Sequence, residues 1–133
     1  MRVVLDTNVF ISRIFFSVPP SKTLKAWTDE RFQMLLSRQI LDEYQRVAEE
    51  IAIKFKSIDI LPIIRRVAIH SQLVNTQGVN ITVCEDPDDN KFIECAVAGN
   101  CWIIISGDKH LLKLSGYEGI AFIKPRDFLD NYL

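Results

Sequence analysis

The sequence predicts an α/β fold: a three-layer α/β/α sandwich around a central, mostly parallel sheet of four or five strands. Short apolar runs rich in β-branched residues alternate with segments whose apolar residues recur at helical spacing. Such an alternation implies parallel strands with helices on both faces of the sheet. With 133 residues, of which 48% are hydrophobic, the chain suits one domain, residues 1–133, that buries its own core.

Five segments are predicted as strands. The first follows Arg2 and stops at Asp6, and its continuous apolar character is typical of a central parallel strand covered on both faces. The least ambiguous one ends in Ser106-Gly107-Asp108 and so repeats the pattern of Asp6. In order, the predicted strands are residues 3–5, 32–36, 81–83, 101–105 and 120–123. Ligands of open α/β sheets bind beyond the carboxyl ends of the strands, which makes Asp6 the first candidate site residue.

Helices are predicted between these strands. Ser21 and Ser37 are candidate N-caps, Asp86-Pro87 is a typical helix start, and Pro62 is expected to delay the start of one helix. The predicted helical segments are residues 10–16 (ending before Val18-Pro19-Pro20), 21–30, 37–55, 57–71, 86 onward, 109–114 and 126–132.

Helical geometry separates the acidic residues by the direction in which they point. In the helix after Ser37, Glu43 falls at the edge of the apolar stripe whereas Asp42 points away. In the helix after Pro87, Asp89 shares a face with Phe92, so it points toward the sheet. In the helix after Ser37, the apolar stripe comprises Ile40, Tyr44, Val47, Ile51 and Phe55. In the helix after Pro87, the face that Asp89 shares with Phe92 continues through Ile93 and Ala96.

The chemistry of these acids allows two interpretations. Asp at the start of a helix is often only a cap favoured by the helix dipole. However, no Lys or Arg is placed by the sequence to neutralise all of Asp6, Glu43, Asp89 and Asp108, and converging carboxylates either have raised pKa values or bind cations. Carboxylates without His or Cys select hard ions such as Mg²⁺ or Mn²⁺, which suit phosphoryl-ester hydrolysis.

Four segments together resemble the PIN-domain nucleases, in the right order and spacing over nearly the whole chain. They are Val3-Val4-Leu5-Asp6-Thr7-Asn8, Leu41-Asp42-Glu43-Tyr44, the run from Asp86 to Phe92, and Ile104-Ile105-Ser106-Gly107-Asp108. The chain is most similar to the branch described as putative toxin components of toxin-antitoxin pairs.

This resemblance implies a Mg²⁺- or Mn²⁺-dependent ribonuclease that often forms homodimers and is blocked by an antitoxin protein. Position by position, the acidic quartet of the family falls on Asp6, Glu43, Asp89 and Asp108, which would be both catalytic and metal-binding. Asn8 and Ser106 match the polar residues that support the site, and Asp86 is a possible outer acid.

Other classes fit less well. A phosphoreceiver domain would match Asp6, Ser106 and Lys124-Pro125, but it needs an acceptor Asp after a third strand near mid-chain, where Asp59 follows a predicted helix end. A haloacid-dehalogenase-type phosphatase needs Asp where this chain has Asn8. A non-enzymatic regulatory domain that uses its acids only as caps stays open. The chain has no glycine-rich phosphate loop.

Charge and cysteine content indicate the setting. Six of the 17 acidic residues belong to the predicted site region, and the remaining 11 are outnumbered by 16 basic residues, a balance that suits a phosphate-backbone substrate such as RNA. The three cysteines form no C-x-x-C pair, and neither a signal peptide nor a membrane-spanning run is visible. We therefore expect a cytoplasmic protein.

Overall fold

The computed structural model describes residues 1–16, 21–56 and 59–133. In these ranges five strands form one all-parallel sheet in the order β3-β2-β1-β4-β5. The strands are β1 (Arg2–Leu5), β2 (Gln33–Leu36), β3 (Gln72–Leu73), β4 (Ile103–Ile105) and β5 (Ala121–Ile123). The predicted fold class is confirmed, because helices connect the parallel strands throughout.

Seven α-helices accompany the sheet in the described part of the chain. They are α1 (Thr7–Phe10), α2 (Lys22–Thr28), α3 (Arg38–Lys54), α4 (Leu61–His70), α5 (Asn90–Ala98), α6 (Lys109–Leu112) and α7 (Pro125–Asn131). A π-helical turn, Ile11–Phe15, continues α1, and 3-10 turns occupy Pro87–Asp89 and Tyr117–Gly119. None of the described helices is long and apolar enough to cross a membrane.

The centre of the sheet is covered on both faces. Val3, Val4 and Leu5 are consecutive residues of β1, so their side chains alternate between the two faces, and all three are fully buried. This burial on both sides explains the continuously apolar sequence of the strand. Helices α3 and α5 lie side by side and pack over the central strands. Because β1 and β4 are parallel neighbours, the polar residues that follow them lie together at the carboxyl ends of the strands.

The predicted third strand is wrong. Residues 81–83 are not a strand; the edge position is taken by β3, directly after α4, where Leu35 pairs with Gln72 and Leu36 with Leu73. The β-branched character of residues 81–83 favours extended backbone but does not supply a neighbouring strand. Instead, the backbone N–H of Ile81 donates to the Glu94 side chain at 3.1 Å, which fastens this segment to α5.

Most helix boundaries follow local chemistry. Ser21 and Ser37 accept hydrogen bonds from Leu24 N and Ile40 N, so both predicted N-caps are confirmed, and Pro62 lies in the first turn of α4 as expected. The first helix begins at residue 7 and not at residue 10, because Asp6 caps it. Helix α6 ends at Leu112, two residues earlier than predicted. The predicted break at residues 18–20 and the first two residues of the helix predicted over 57–71 lie outside the described residues.

Tyr44 connects α3 to the strand that carries Asp6. Its ring is fully buried and stacks on Phe10, with ring centroids 4.0 Å apart. Its hydroxyl donates a hydrogen bond to the Leu5 carbonyl, one residue before Asp6. Farther along the predicted apolar stripe, Phe55 lies beyond the end of α3 and is 55% exposed. The stripe therefore packs at its beginning, beside the acidic residues, and leaves the core at its end.

Replacing Tyr44 by Phe should lower the free energy of unfolding by about 1 to 3 kcal/mol, because the ring is retained while the buried Leu5 carbonyl loses a donor. Urea unfolding followed by circular dichroism measures this difference. Tyr132→Phe is the matched control, since Tyr132 is 39% exposed. Equal unfolding midpoints for Tyr44→Phe and the wild type would show that the hydrogen bond does not stabilise the fold.

Candidate active site

Asp6 stands at the carboxyl end of β1 and is only 5% exposed. Its Oδ1 accepts a hydrogen bond from Val9 N at 2.8 Å, which caps α1, and its Oδ2 accepts one from the Ser106 hydroxyl. The Asp6 backbone N–H donates to the Ile105 carbonyl at 3.0 Å and extends the pairing of β1 with β4. Asp6 is thus held at three points before any ligand is present.

Ser106 and Asp108 follow the neighbouring strand β4. Ser106 is fully buried, and its Oγ both donates to Asp6 and accepts from Asp108 N at 2.9 Å. Asp108 in turn caps α6 by accepting from His110 N at 2.9 Å. One buried hydroxyl therefore links the ends of two adjacent strands and sets the positions of two carboxylates.

The third carboxylate comes from the turn before α5. Asp86 caps this turn, as predicted, by accepting from Asp88 N at 3.0 Å, and Asp89 is partly buried at its end. Asn90 holds the turn from inside: its Oδ1 accepts from Cys84 N at 3.0 Å and its Nδ2 donates to the Pro87 carbonyl at 3.1 Å. Asn90 was not predicted as a site residue.

Asp6, Asp89 and Asp108 lie close enough to influence each other's charge. Burial raises the pKa of Asp6 above its ordinary value, against the hydrogen bonds from Ser106 and Val9, and the charges of Asp108 and Glu43 raise it further. Burial also raises the pKa of Asp89 to about 6, and Asp86, Asp108 and Asp6 add to this effect. No ion pair among the described residues compensates Asp6, Asp89 or Asp108.

Glu43, by contrast, has cationic partners. Its Oε1 lies 2.8 Å from Lys91 Nζ and 3.6 Å from Arg46, and its Oε2 accepts a hydrogen bond from the Thr7 hydroxyl. The predicted orientations are confirmed, since Glu43 is partly buried and Asp42 is exposed. The contact with Lys91 was not predicted from the sequence; Lys91 lies one helical turn after Asp88 and reaches only Glu43 among the four acids.

The two residues that follow Asp6 at the start of α1 differ in burial. Asn8 is exposed, and its side chain makes no hydrogen bond to another described residue. Its neighbour Thr7 is buried and contacts Glu43 instead. Thr7 could have been found by helical geometry, because the side chains of consecutive residues point about 100° apart and only one of them can face α3.

A cavity of about 280 Å³ opens beside the acids and is lined by Asp86, Asp89, Asp108 and His110, together with Cys84. His110 Nδ1 lies 2.8 Å from Glu85, which also pairs with Lys113 at 2.6 Å, so basic groups border the acidic edge. A larger cavity of about 520 Å³, lined in part by Arg2 and Gln33, lies at the opposite, amino ends of the strands.

The side chains fit a hard divalent ion that keeps part of its water shell. Among the described residues, no three His, Cys, Asp or Glu side chains form a ready-made metal cage. Mg²⁺ usually binds through one or two carboxylates plus water and substrate phosphate, so a closed cage is not required. Burial is the main cause that raises the pKa values of Asp6 and Asp89, and neighbouring carboxylates raise them further. A bound cation would favour the ionised form of both groups.

Comparison with known proteins agrees with this fold and with the place of the acidic residues at the carboxyl ends of the strands. The PIN-domain family model matches residues 2–110, which include β1, β4 and all the acids described above. The chain therefore belongs to the PIN-domain family, whose members are generally nucleases that use divalent metal ions. The uncharacterized protein MJ1680 of Methanocaldococcus jannaschii is 35% identical, over 99% of this chain and 92% of that protein.

Asp89 should make the metal-free protein more stable at pH 5 than at pH 7. Its pKa is about 6 when folded and 3.8 ordinarily, so the folded state binds the proton first as pH falls, and between about pH 6 and pH 4 protonation favours folding. We expect the change in melting temperature from pH 7 to pH 5, measured in EDTA, to be more positive for the wild type than for Asp89→Asn.

Asp88→Asn is the matched control for this measurement. Hydrogen bonding to Lys91 lowers the pKa of Asp88 below its ordinary value of 3.8, so Asp88 stays ionised between pH 7 and pH 5. Its replacement should leave the shift of the wild type intact. Identical pH dependence in Asp89→Asn and the wild type would contradict the raised pKa of Asp89.

Proposed function

We propose that this PIN-domain protein is a Mg²⁺- or Mn²⁺-dependent endoribonuclease. The observation that carries the proposal is the convergence of Asp6, Asp89 and Asp108 beside a cavity, where none of the three forms an ion pair with another described residue. Three neighbouring carboxylates that lack ion pairs favour the binding of a hard divalent ion. The family supports the reaction class, cleavage of nucleic acid.

The protein's own residues have distinct tasks in this proposal. Asp6, Asp89 and Asp108 hold the ion, which when bound activates water and stabilises the leaving oxygen of a phosphodiester. Ser106 fixes the direction of the Asp6 carboxylate, since the hydroxyl donates to one of its oxygens. Glu43 completes the shell or orients the attacking water. Asn8 is proposed as a supporting polar residue of the site and Asp86 as an outer acid.

RNA as the substrate, and a role as the toxin of a toxin-antitoxin pair, rest on the sequence resemblance. An antitoxin protein and a homodimeric state are part of the same proposal. The surplus of basic residues outside the acidic site supports a polyanionic substrate, because such residues attract phosphate groups toward an ion-loaded site.

A non-enzymatic PIN-like domain is the second candidate, and a specific observation favours it. Asp6, Asp86 and Asp108 all cap helical turns, so these acids have a structural use that requires no metal. Glu43 is already neutralised by Lys91 and Arg46. Binding of a divalent ion separates the two candidates, because caps alone do not create affinity for one.

Asp6→Asn should reduce cleavage of a labelled, mixed-structure RNA by about 100-fold or more, because the contribution of a bound metal to the reaction is several kcal/mol. The assay compares EDTA, Mg²⁺ and Mn²⁺, with a DNA of the same sequence in parallel. Asp42→Asn is the control, since Asp42 is an exposed acid next to Glu43. Cleavage that persists in EDTA or in Asp6→Asn would refute the metal mechanism, and cleavage of the DNA alone would refute the assignment of RNA.

Ser106→Ala should weaken Mn²⁺ binding by about 10- to 100-fold, the usual effect of losing a group that orients a metal ligand. Isothermal titration calorimetry provides this measurement independently of any substrate. Ser12→Ala serves as the control, because Ser12 is exposed and donates only a long, 3.4 Å bond to the Val9 carbonyl. Unchanged affinity in Ser106→Ala would mean that Asp6 does not hold the ion.

A further inference from the structure

Lys91 places an ammonium group inside the acidic region. Its Nζ lies 2.8 Å from Glu43 Oε1, 3.1 Å from Asp88 Oδ2 and 2.7 Å from the Asp88 backbone carbonyl. The Lys91 side chain is 11% exposed and that of Glu43 is 14% exposed, so the pair is largely shielded from solvent. The ammonium has three protons and three oxygen partners, which leaves it fixed in one position.

This ammonium divides the acids into two groups. On one side, Glu43 is paired with Lys91 and hydrogen-bonded to Thr7. On the other side, Asp6, Asp89 and Asp108 have no ion-pair partner among the described residues. The charge of Asp108 acts on both Asp6 and Asp89, so these three acids lie close together. The two groups remain neighbours, because the charge of Glu43 acts on Asp6 and that of Lys91 acts on Asp89.

We propose that Lys91 stands in for a second divalent ion, so that the site binds one ion and not two. This inference rests on the proposed function, since it specifies the metal content of the same site. A two-ion site places its cations about 3.5 to 4 Å apart and needs carboxylates for both. Glu43 is the carboxylate that a second ion would use, and Lys91 already holds it and repels another cation.

The arrangement gives Lys91 a positioning role that differs from that of an ordinary surface ion pair. A pair that is largely excluded from water keeps its geometry, whereas an exposed pair exchanges its partners with solvent. Lys91 is present before any ion binds, and it supplies one unit of positive charge where a divalent ion would supply two. The structure therefore assigns to Lys91 the control of how many ions the site binds.

The test is the number of Mn²⁺ ions bound per chain, measured from the free Mn²⁺ signal in electron paramagnetic resonance. The wild type should bind one ion. Lys91→Met, which keeps the length of the side chain and removes its charge, should bind two. Lys113→Met is the matched control and should bind one, because Lys113 also pairs with a glutamate beside the site, at 2.6 Å, but does not touch Glu43.

A double variant tests whether the second ion binds to Glu43. Lys91→Met combined with Glu43→Gln should bind one ion, because the carboxylate of the second ion is then absent. Two ions in the wild type, or one ion in both Lys91→Met and Lys91→Gln, overturn the inference. Lys91→Gln is included in case Lys91→Met does not fold, and the wild-type count alone can refute the idea.

The same experiment separates this inference from the proposed function. A wild type that binds no Mn²⁺ overturns both. A wild type that binds one ion and cleaves RNA only with metal, while Lys91→Met and Lys91→Gln also bind one, overturns the role of Lys91 and leaves the nuclease proposal standing.

Discussion

The hydrogen bond between Ser106 and Asp6 is the contact on which the acidic edge depends. It joins the ends of β1 and β4, which are parallel neighbours with Leu5 opposite Ile105. Parallel pairing brings the carboxyl ends of the two strands to one edge, and the buried hydroxyl fixes the relative positions of Asp6 and Asp108. Because both residues are held by backbone contacts, the fold determines the geometry of the site.

The site places opposite demands on stability. Burial of the Asp6 carboxylate among other acids raises its pKa, and the ionised form therefore costs folding free energy at neutral pH. The hydrogen bonds from Ser106 and Val9 reduce this cost. The burial of apolar side chains around β1 stabilises the fold and offsets the part of the cost that is left. Concentrated negative charge at the edge of a stable sheet is typical of a site arranged for binding.

Local periodicity was sufficient to predict much of the fold and part of the site. The orientations of Glu43 and Asp42 follow from helix geometry, and the helix start at Asp86-Pro87 follows from capping chemistry. The edge strand β3 could not be predicted, because it has only two residues. It pairs with β2, which lies far away in the sequence, and local periodicity does not report such a pairing. Lys91 was missed for a related reason: a long side chain can reach several partners, and only the packing of α5 beside α3 selects Glu43.

The use of acids as helix caps has a consequence for how quickly a ligand can be captured. Asp6 and Asp108 are fixed by Val9 N and His110 N, and Asp89 follows a turn fixed by Asp86, so their backbone positions are set in the free protein. If this site binds a cation as proposed, binding would order little of the chain, and the protein would lose little conformational entropy. The rate of binding would then depend on the exchange of the water molecules of the ion and not on the closing of a loop.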